Sequence, residues 1–296
     1  MADNYARSLT ENPQILHFVT NVLEIEGHRK VKKAVENIRT SEIMTERMRE
    51  SSTYNATQFR DTDYSTMEAR DKLRTRILNE LFTLKRLPND DKIRLGMGGA
   101  CPIDSPPEKG NKAIIIIGLP ASGKSGVSEI IADHTGSYLI DSDYAKRKLP
   151  EYRSPGGASL VHEESSHITA ELFAKCISEK YNVIYPKIGY EPDSILRLAL
   201  ELGSNGYEVS LVLVELDRQD AVKRAYSRYI QTSRYVPLSL IFDVYSNNPI
   251  LTYYRLKQKH LDSFVGFLHI DNNVALEQKK IVVEGINMEN IVDLFL

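Results

Sequence analysis

The octapeptide Gly118-Leu119-Pro120-Ala121-Ser122-Gly123-Lys124-Ser125 satisfies the pattern G-x-x-x-x-G-K-[ST] at every fixed position, and it closes the run AIIIIG at 113–118. Four successive isoleucines leave no solvent-facing alternation, so the run reads as a strand buried on both faces. The stretch behind the loop, to about Asp133, reads as an amphipathic helix. Strand, glycine turn and helix are the context in which this motif means phosphate binding rather than a ligand-free turn. Its glycines let consecutive amides converge on phosphate oxygens at a helix N-terminus, where peptide dipoles add positive charge. All eight residues are therefore expected to cradle ATP, or alternatively GTP. Lys124 would reach the β- and γ-phosphates and Ser125 would ligate Mg²⁺.

From Lys112 onward, short apolar runs alternate with helical stretches. Further strands read at 137–141, 182–185, 207–215, 267–270 and 281–283. Helices read at 161–180, 192–204, 218–232, 238–245, 252–261 and 288–296. Such alternation implies an α/β fold, a parallel sheet flanked by helices, and the phosphate loop after its first strand makes a P-loop kinase-like sheet the expected form. Upstream, residues 1–88 read as a small all-helical domain, interrupted by a loop from Glu50 to Asp63. Residues 89–111, rich in Pro, Gly and Asp, read as a linker to a kinase domain at 112–296.

Composition narrows the partners. A net charge of −2 gives no basic surplus, which disfavours nucleic acid as substrate. Cys101 and Cys176 form no bridge framework or C-x-x-C pair, so a reducing, cytoplasmic setting is expected. The N-terminus lacks a basic start with an apolar run, and no apolar stretch approaches the ~20 residues that cross a bilayer.

The second strand runs into Ile140-Asp141-Ser142-Asp143. Ligands of open parallel sheets bind beyond the carboxyl ends of the strands, which brings these acids beside the P-loop. A carboxylate there can take a hydroxyl proton as the oxygen attacks phosphorus, or hold the metal. Asp is equally a favoured helix N-cap, so one acid can cap while the other works.

Taken in order, GLPASGKS, IDSDYAKRKLPEY, HEESS and NVIYPKIG resemble the zeta toxin kinases over about Lys112 to Asn272. T4-type polynucleotide kinases share the early layout. The resemblance implies transfer of the ATP γ-phosphate to a hydroxyl of a UDP-activated amino sugar, chiefly UDP-N-acetylglucosamine. That blocks cell-wall synthesis and belongs to toxin–antitoxin systems. Carried across, Asp143 takes the place of the catalytic base, with a share in the metal, and Lys124 and Ser125 keep their phosphate and metal roles. Arg228, in Ser227-Arg228-Tyr229, and Arg234, which opens an Arg-x-x-Pro pattern, take the places of arginines that stabilise charge on the transferred group. Each arginine also has a plain reading as solvent-facing helix charge.

Asp141, His162, Glu163 and Glu164 are expected to line the acceptor cleft, although acids at 163 and 164 would equally suit a first helical turn. The sequence departs from the family pattern after the third strand. Tyr185-Pro186-Lys187-Ile188-Gly189 holds no carboxylate, and Lys187 is expected to meet a diphosphate on the acceptor instead. The interval between Arg228 and Arg234 is also short.

A separate helical antitoxin obstructs the nucleotide site in the family, and residues 1–88 are of comparable size. They are expected to act in cis near the P-loop and limit nucleotide entry, since tethering supplies an effective concentration of ~mM. A scaffold or oligomerisation element is the plain alternative. Tyr144, Tyr185 and Tyr190 stand at strand ends, which raises autophosphorylation against ordinary packing. Two other functions fit less of the pattern. One is a polynucleotide or nucleoside 5′-hydroxyl kinase. The other is a nucleotide-dependent switch or interaction protein, which needs no acceptor-side base such as Asp143.

Overall fold

The computed structural model describes residues 6–48, 51–153, 156–274, 278 and 280–296. Residues 1–5 of the expected helical domain, and Glu50 at the start of the expected loop, lie outside them. The isoleucine run forms β1 (Lys112–Ile117), whose residues from Ala113 on are buried, as a strand covered on both faces requires. The described residues form one six-stranded sheet in the order β2-β3-β1-β4-β5-β6. Its other strands are β2 (Tyr138–Leu139), β3 (Val183–Lys187), β4 (Glu208–Glu215), β5 (Gly266–Asp271) and β6 (Ile281–Ile286). Strands β1 to β5 pair in parallel, with Ile115 opposite both Tyr185 and Leu211. β6 runs antiparallel along the β5 edge, three residues longer than its sequence pattern marks, with a register shift between His269 and Ile270. Because β1 lies between β3 and β4, the P-loop opens at the crevice where the chain switches sides of the sheet.

The helices are α1 (Asn12–His17), α2 (His28–Met48), α3 (Met67–Thr83), α4 (Lys124–His134), α5 (Ser142–Lys148), α6 (Gly157–Leu160), α7 (His162–Ser178), α8 (Pro192–Ser204), α9 (Arg218–Thr232), α10 (Asn248–Lys259) and α11 (Glu289–Val292). α1 continues into a π-helical stretch, Phe18–Val22, and the helix expected at 238–245 is a π-helix at Leu240–Tyr245. No helix among the described residues is long and apolar enough to cross a membrane.

The leading helices do not stay together as one separate unit. Ile15, Phe18, Val19, Ala34 and Ile38 pack with Leu119, Ala221, Val222, Leu238 and Ile241. Leu73, Ile77 and Leu81 of α3 instead join β1, Ile131 and Leu172 in the core beneath the sheet. The linker expected at 89–111 is also built into that core. Ile93, Ala100 and Cys101 are buried there, and the Leu139 amide donates to the Ala100 carbonyl at 3.0 Å. Burying each isoleucine or leucine side chain contributes roughly 1.5–3 kcal/mol, which outweighs the Pro/Gly composition that suggests a spacer.

Ion pairs bind α3 to the kinase helices. The Arg70 side chain is buried and donates to Glu164 at 2.7 and 2.5 Å and to Glu151 at 2.7 and 3.2 Å. Arg74 donates to Glu164 at 2.7 Å, and the Thr53 hydroxyl adds a donor at 2.5 Å. Lys148, also buried, donates to Glu80 at 2.7 Å. Buried charges persist only when paired and hydrogen-bonded in this way.

Candidate active site

Two glycines let the P-loop fold where it does. A Cβ on Gly118 (φ +157°) would lie 2.4 Å from the Val214 carbonyl oxygen of β4. Gly123 takes the left-handed conformation, φ +91°, and caps α4. Ala121 also has positive φ, +64°, a conformation that costs energy in a residue with a Cβ. Lys124 folds back over the loop, with Nζ donating to the Gly118 and Leu119 carbonyls at 2.6 Å each. Burial pulls its ammonium down to about 7, against the attraction of Asp141 and with the repulsion of Arg228. Ser125 in the first turn of α4 is exposed, its hydroxyl free for an incoming group.

The two aspartates that follow β2 make different contacts. Asp141 is the N-cap of α5, accepting the Asp143 N–H at 2.9 Å. Burial raises the Asp141 pKa, with Arg234, Lys146 and Arg147 opposing. Asp143, one step into the helix, uses its carboxylate differently. One oxygen pairs with Lys146 at 3.1 Å and the other with Arg234. Arg234 follows Ser233, whose positive φ of +59° ends α9 and turns the chain toward α5. Arg228 lies inside α9, and its Nε is buried with no hydrogen-bond partner. Burial lowers the Arg228 pKa, and Arg147 lowers it further.

Among the described residues Arg147 forms ion pairs with Asp91, at 3.4 Å, and Asp90, at 3.9 Å. Arg147 thus lowers the pKa of Arg228, and Arg228 in turn lowers that of the P-loop Lys124. An arrangement of that kind is stabilised by an anion of several charges placed among them.

Other expected site residues sit elsewhere. Glu164 is not in the acceptor cleft: it is buried against Arg70, Arg74 and Thr53, because a carboxylate on the inward face of α7 must be paired. Burial pushes the Glu164 carboxyl up, but the donors from Arg70, Thr53 and Arg74 outweigh it and hold it below its ordinary value. Glu163 faces outward and accepts from the exposed Asn55 amide at 3.0 and 3.2 Å. Lys187 closes β3 with its ammonium 4.0 Å from the centre of the Tyr185 ring. Tyr144 is buried, too enclosed to act as a phosphoryl acceptor, while Tyr185 and Tyr190 pack against Phe173 and Tyr245.

Sequence reasoning missed Arg147, a charge in the run 146–148 that is buried within α5. It also missed Asn272, whose side-chain amide lies on the P-loop. The Lys-Arg-Lys run directly after the acidic pair marks the first in hindsight; no local signal marks the second.

A family model described as Zeta toxin matches residues 102–272, more than half of the chain. The fold is similar to a solved chain from the PezAT chromosomal toxin–antitoxin system of Streptococcus pneumoniae. The two share 17% sequence identity with a TM-score of 0.52, over 78% of this chain and 88% of that one. A chain from a complex of AvrRxo1-ORF1 with AvrRxo1-ORF2, solved with sulphate ions, is 16% identical with a TM-score of 0.48, over 76% and 72% of the two chains. No curated protein matches the sequence.

Proposed function

Since this chain belongs to the zeta toxin family, we propose that its ATP-dependent kinase activity is directed at a hydroxyl of a UDP-activated amino sugar of the UDP-N-acetylglucosamine type, and that its leading helices restrain it. The observation that carries the reading is that Asp141, the cap directly before Asp143, attracts the buried P-loop ammonium of Lys124, while Asp143 itself pairs with Lys146 and Arg234. In that reading Asp143 leaves Arg234 and takes the acceptor proton as the oxygen attacks the γ-phosphorus, while the bond from that phosphorus to the β,γ-bridging oxygen breaks and ADP leaves. Arg228 and Arg234 then meet the charge growing on the transferred group, and Lys124 turns from its carbonyls to the phosphates. The Ser125 hydroxyl and the Asp143 carboxylate are hard oxygen donors of the kind Mg²⁺ takes beside phosphate oxygens. When bound, the ion would neutralise phosphate charge. Lys187 and Arg147 are the side chains we assign to a diphosphate on the acceptor. Labelled ATP offered with UDP-sugars, nucleosides and oligonucleotides tests this: label in a UDP-amino sugar is the expected result, and label only in a 5′-hydroxyl overturns it.

Restraint in cis is supported by how α1 and α2 meet the catalytic elements. Leu119 and Ala121 of the P-loop share an apolar cluster with Ile15, Phe18 and Val19. Ser41 donates to the Tyr229 hydroxyl at 2.8 Å, and the Tyr235 hydroxyl donates to Glu42. Those tyrosines directly follow Arg228 and Arg234. Arg7 pairs with Asp243 at 2.7 Å and Lys223 with Glu24 at 2.5 Å, which adds contacts from the leading segment to the π-helix and to α9. The full chain with Ser41→Ala and Glu42→Gln together is expected to turn over ATP about tenfold faster, the size of an ordinary coupling between sites. It should also be more harmful when expressed in a bacterial host. Unchanged or slower turnover at an unchanged Tm would show that these helices brace the enzyme rather than restrain it.

A further inference from the structure

The P-loop is tied to the far side of the sheet by a side chain that belongs to no motif. Asn272, buried just beyond β5, donates its Nδ2–H to the Ser122 carbonyl at 2.7 Å. Its own backbone N–H donates to the Glu215 carbonyl at the end of β4 at 2.9 Å, so the residue is anchored in the sheet. Arg224 of α9 then holds the loop from outside, its guanidinium donating to the carbonyls of Asn272 at 3.2 Å and Val274 at 2.8 Å. The approach is close: a Cβ on Gly123 would stand 2.5 Å from Asn272 Nδ2.

A peptide unit is planar and trans, so its N–H points opposite to its C=O. A donor fixed on the Ser122 carbonyl therefore fixes the direction of the Gly123 N–H, one of the amides that must face phosphate. Among the described residues Asn272 is the side chain seen to donate to that carbonyl, and the Ser122 hydroxyl is itself buried without a partner. Arg224 also lies one helical turn before Arg228 on α9, so the same helix supports both the loop and the cation beside it.

We propose that Asn272 and Arg224 are positioning residues for nucleotide binding: Asn272 orients the Ser122–Gly123 peptide of the phosphate cradle, and Arg224 holds Asn272 in place. The proposal rests on the P-loop being the nucleotide site, but its first readout needs no nucleotide. In the full chain, Asn272→Ala and Arg224→Ala are each expected to speed hydrogen exchange at the amides of residues 122–124 about tenfold. Amides of β1 should be unaffected. Both variants should also raise the KM for Mg-ATP about tenfold with kcat within about twofold, the signature of lost uniform binding. Arg224→Lys should recover part of the loss, and the double variant should be no worse than Asn272→Ala, because both act through one contact.

Unchanged exchange at 122–124 with an unchanged KM overturns the proposal. So does a loss of both that merely follows a fall in Tm, for which the near-isosteric Asn272→Asp serves as a second variant without the donor. A parent chain that bound no nucleotide would count against the kinase reading alone, since the exchange result still decides the role of the strut.

Discussion

Replacing Asp143 with asparagine is expected to slow phosphoryl transfer about a thousandfold, within the usual range for loss of a general base. The exchange removes the proton acceptor while keeping the size of the side chain. It should leave the fold intact, because the cap of α5 is Asp141 and not Asp143. Asp141→Asn keeps a capping oxygen, so little stability should be lost there either. Single-turnover transfer of labelled phosphate, set beside thermal melting, separates the two aspartates. A rate for Asp143→Asn within tenfold of the parent would end its assignment as base and leave it as an ion-pair partner of Lys146 and Arg234.

Glu164→Gln is expected to cost about 3–5 kcal/mol of stability, because it leaves the buried Arg70 and the adjacent Arg74 short of their counter-charge. Glu163→Gln, one residue away and exposed, should fall within about 0.5 kcal/mol of the parent. Urea unfolding of the two variants measures the contrast. It also has a pH signature. The Glu164 pKa is depressed in the folded chain, so its contribution is present above the ordinary carboxylate value of 4.5. The contribution is lost as pH falls through the lower folded value, and the gap between parent and variant should close in acid. A gap that stayed constant from neutral pH down to strong acid would contradict the ion-pair account.

These two neighbouring glutamates also mark where the sequence stops being informative. Local chemistry was legible: the isoleucine run, the glycines at 118 and 123, and the alternation of strands and helices placed the sheet and the P-loop correctly. The acidic pair was legible as one cap, Asp141, and one carboxylate not used as the cap, Asp143, which the fold pairs with Lys146 and Arg234. Glu164 was not, because its partners Arg70 and Arg74 lie some 90 residues away in sequence. Two arginines spaced i, i+4 on a helix with Leu73 and Ile77 were a usable hint, since charge on an apolar face calls for a distant acid. The stripe of α3 told equally little about which partner it covers, and so residues 1–88 looked like one body when the fold divides them. Asn272 works through a single side-chain amide on a backbone carbonyl, an interaction that leaves no composition or spacing to read.

The division of the leading helices carries a practical corollary. The family match begins at residue 102, yet Leu73, Ile77, Leu81, Ile93 and Ala100 form part of the floor on which the central strands rest. A protein trimmed to the recognisable kinase boundary would lose those apolar side chains along with Arg70, and would uncover Glu164 and the faces of α5 and α7 on which α3 packs. A shortened form of this chain that keeps the contacts of Glu164 therefore has to begin no later than Thr53, and inactivity of a shorter fragment would say nothing about whether α1 and α2 hold the enzyme in check.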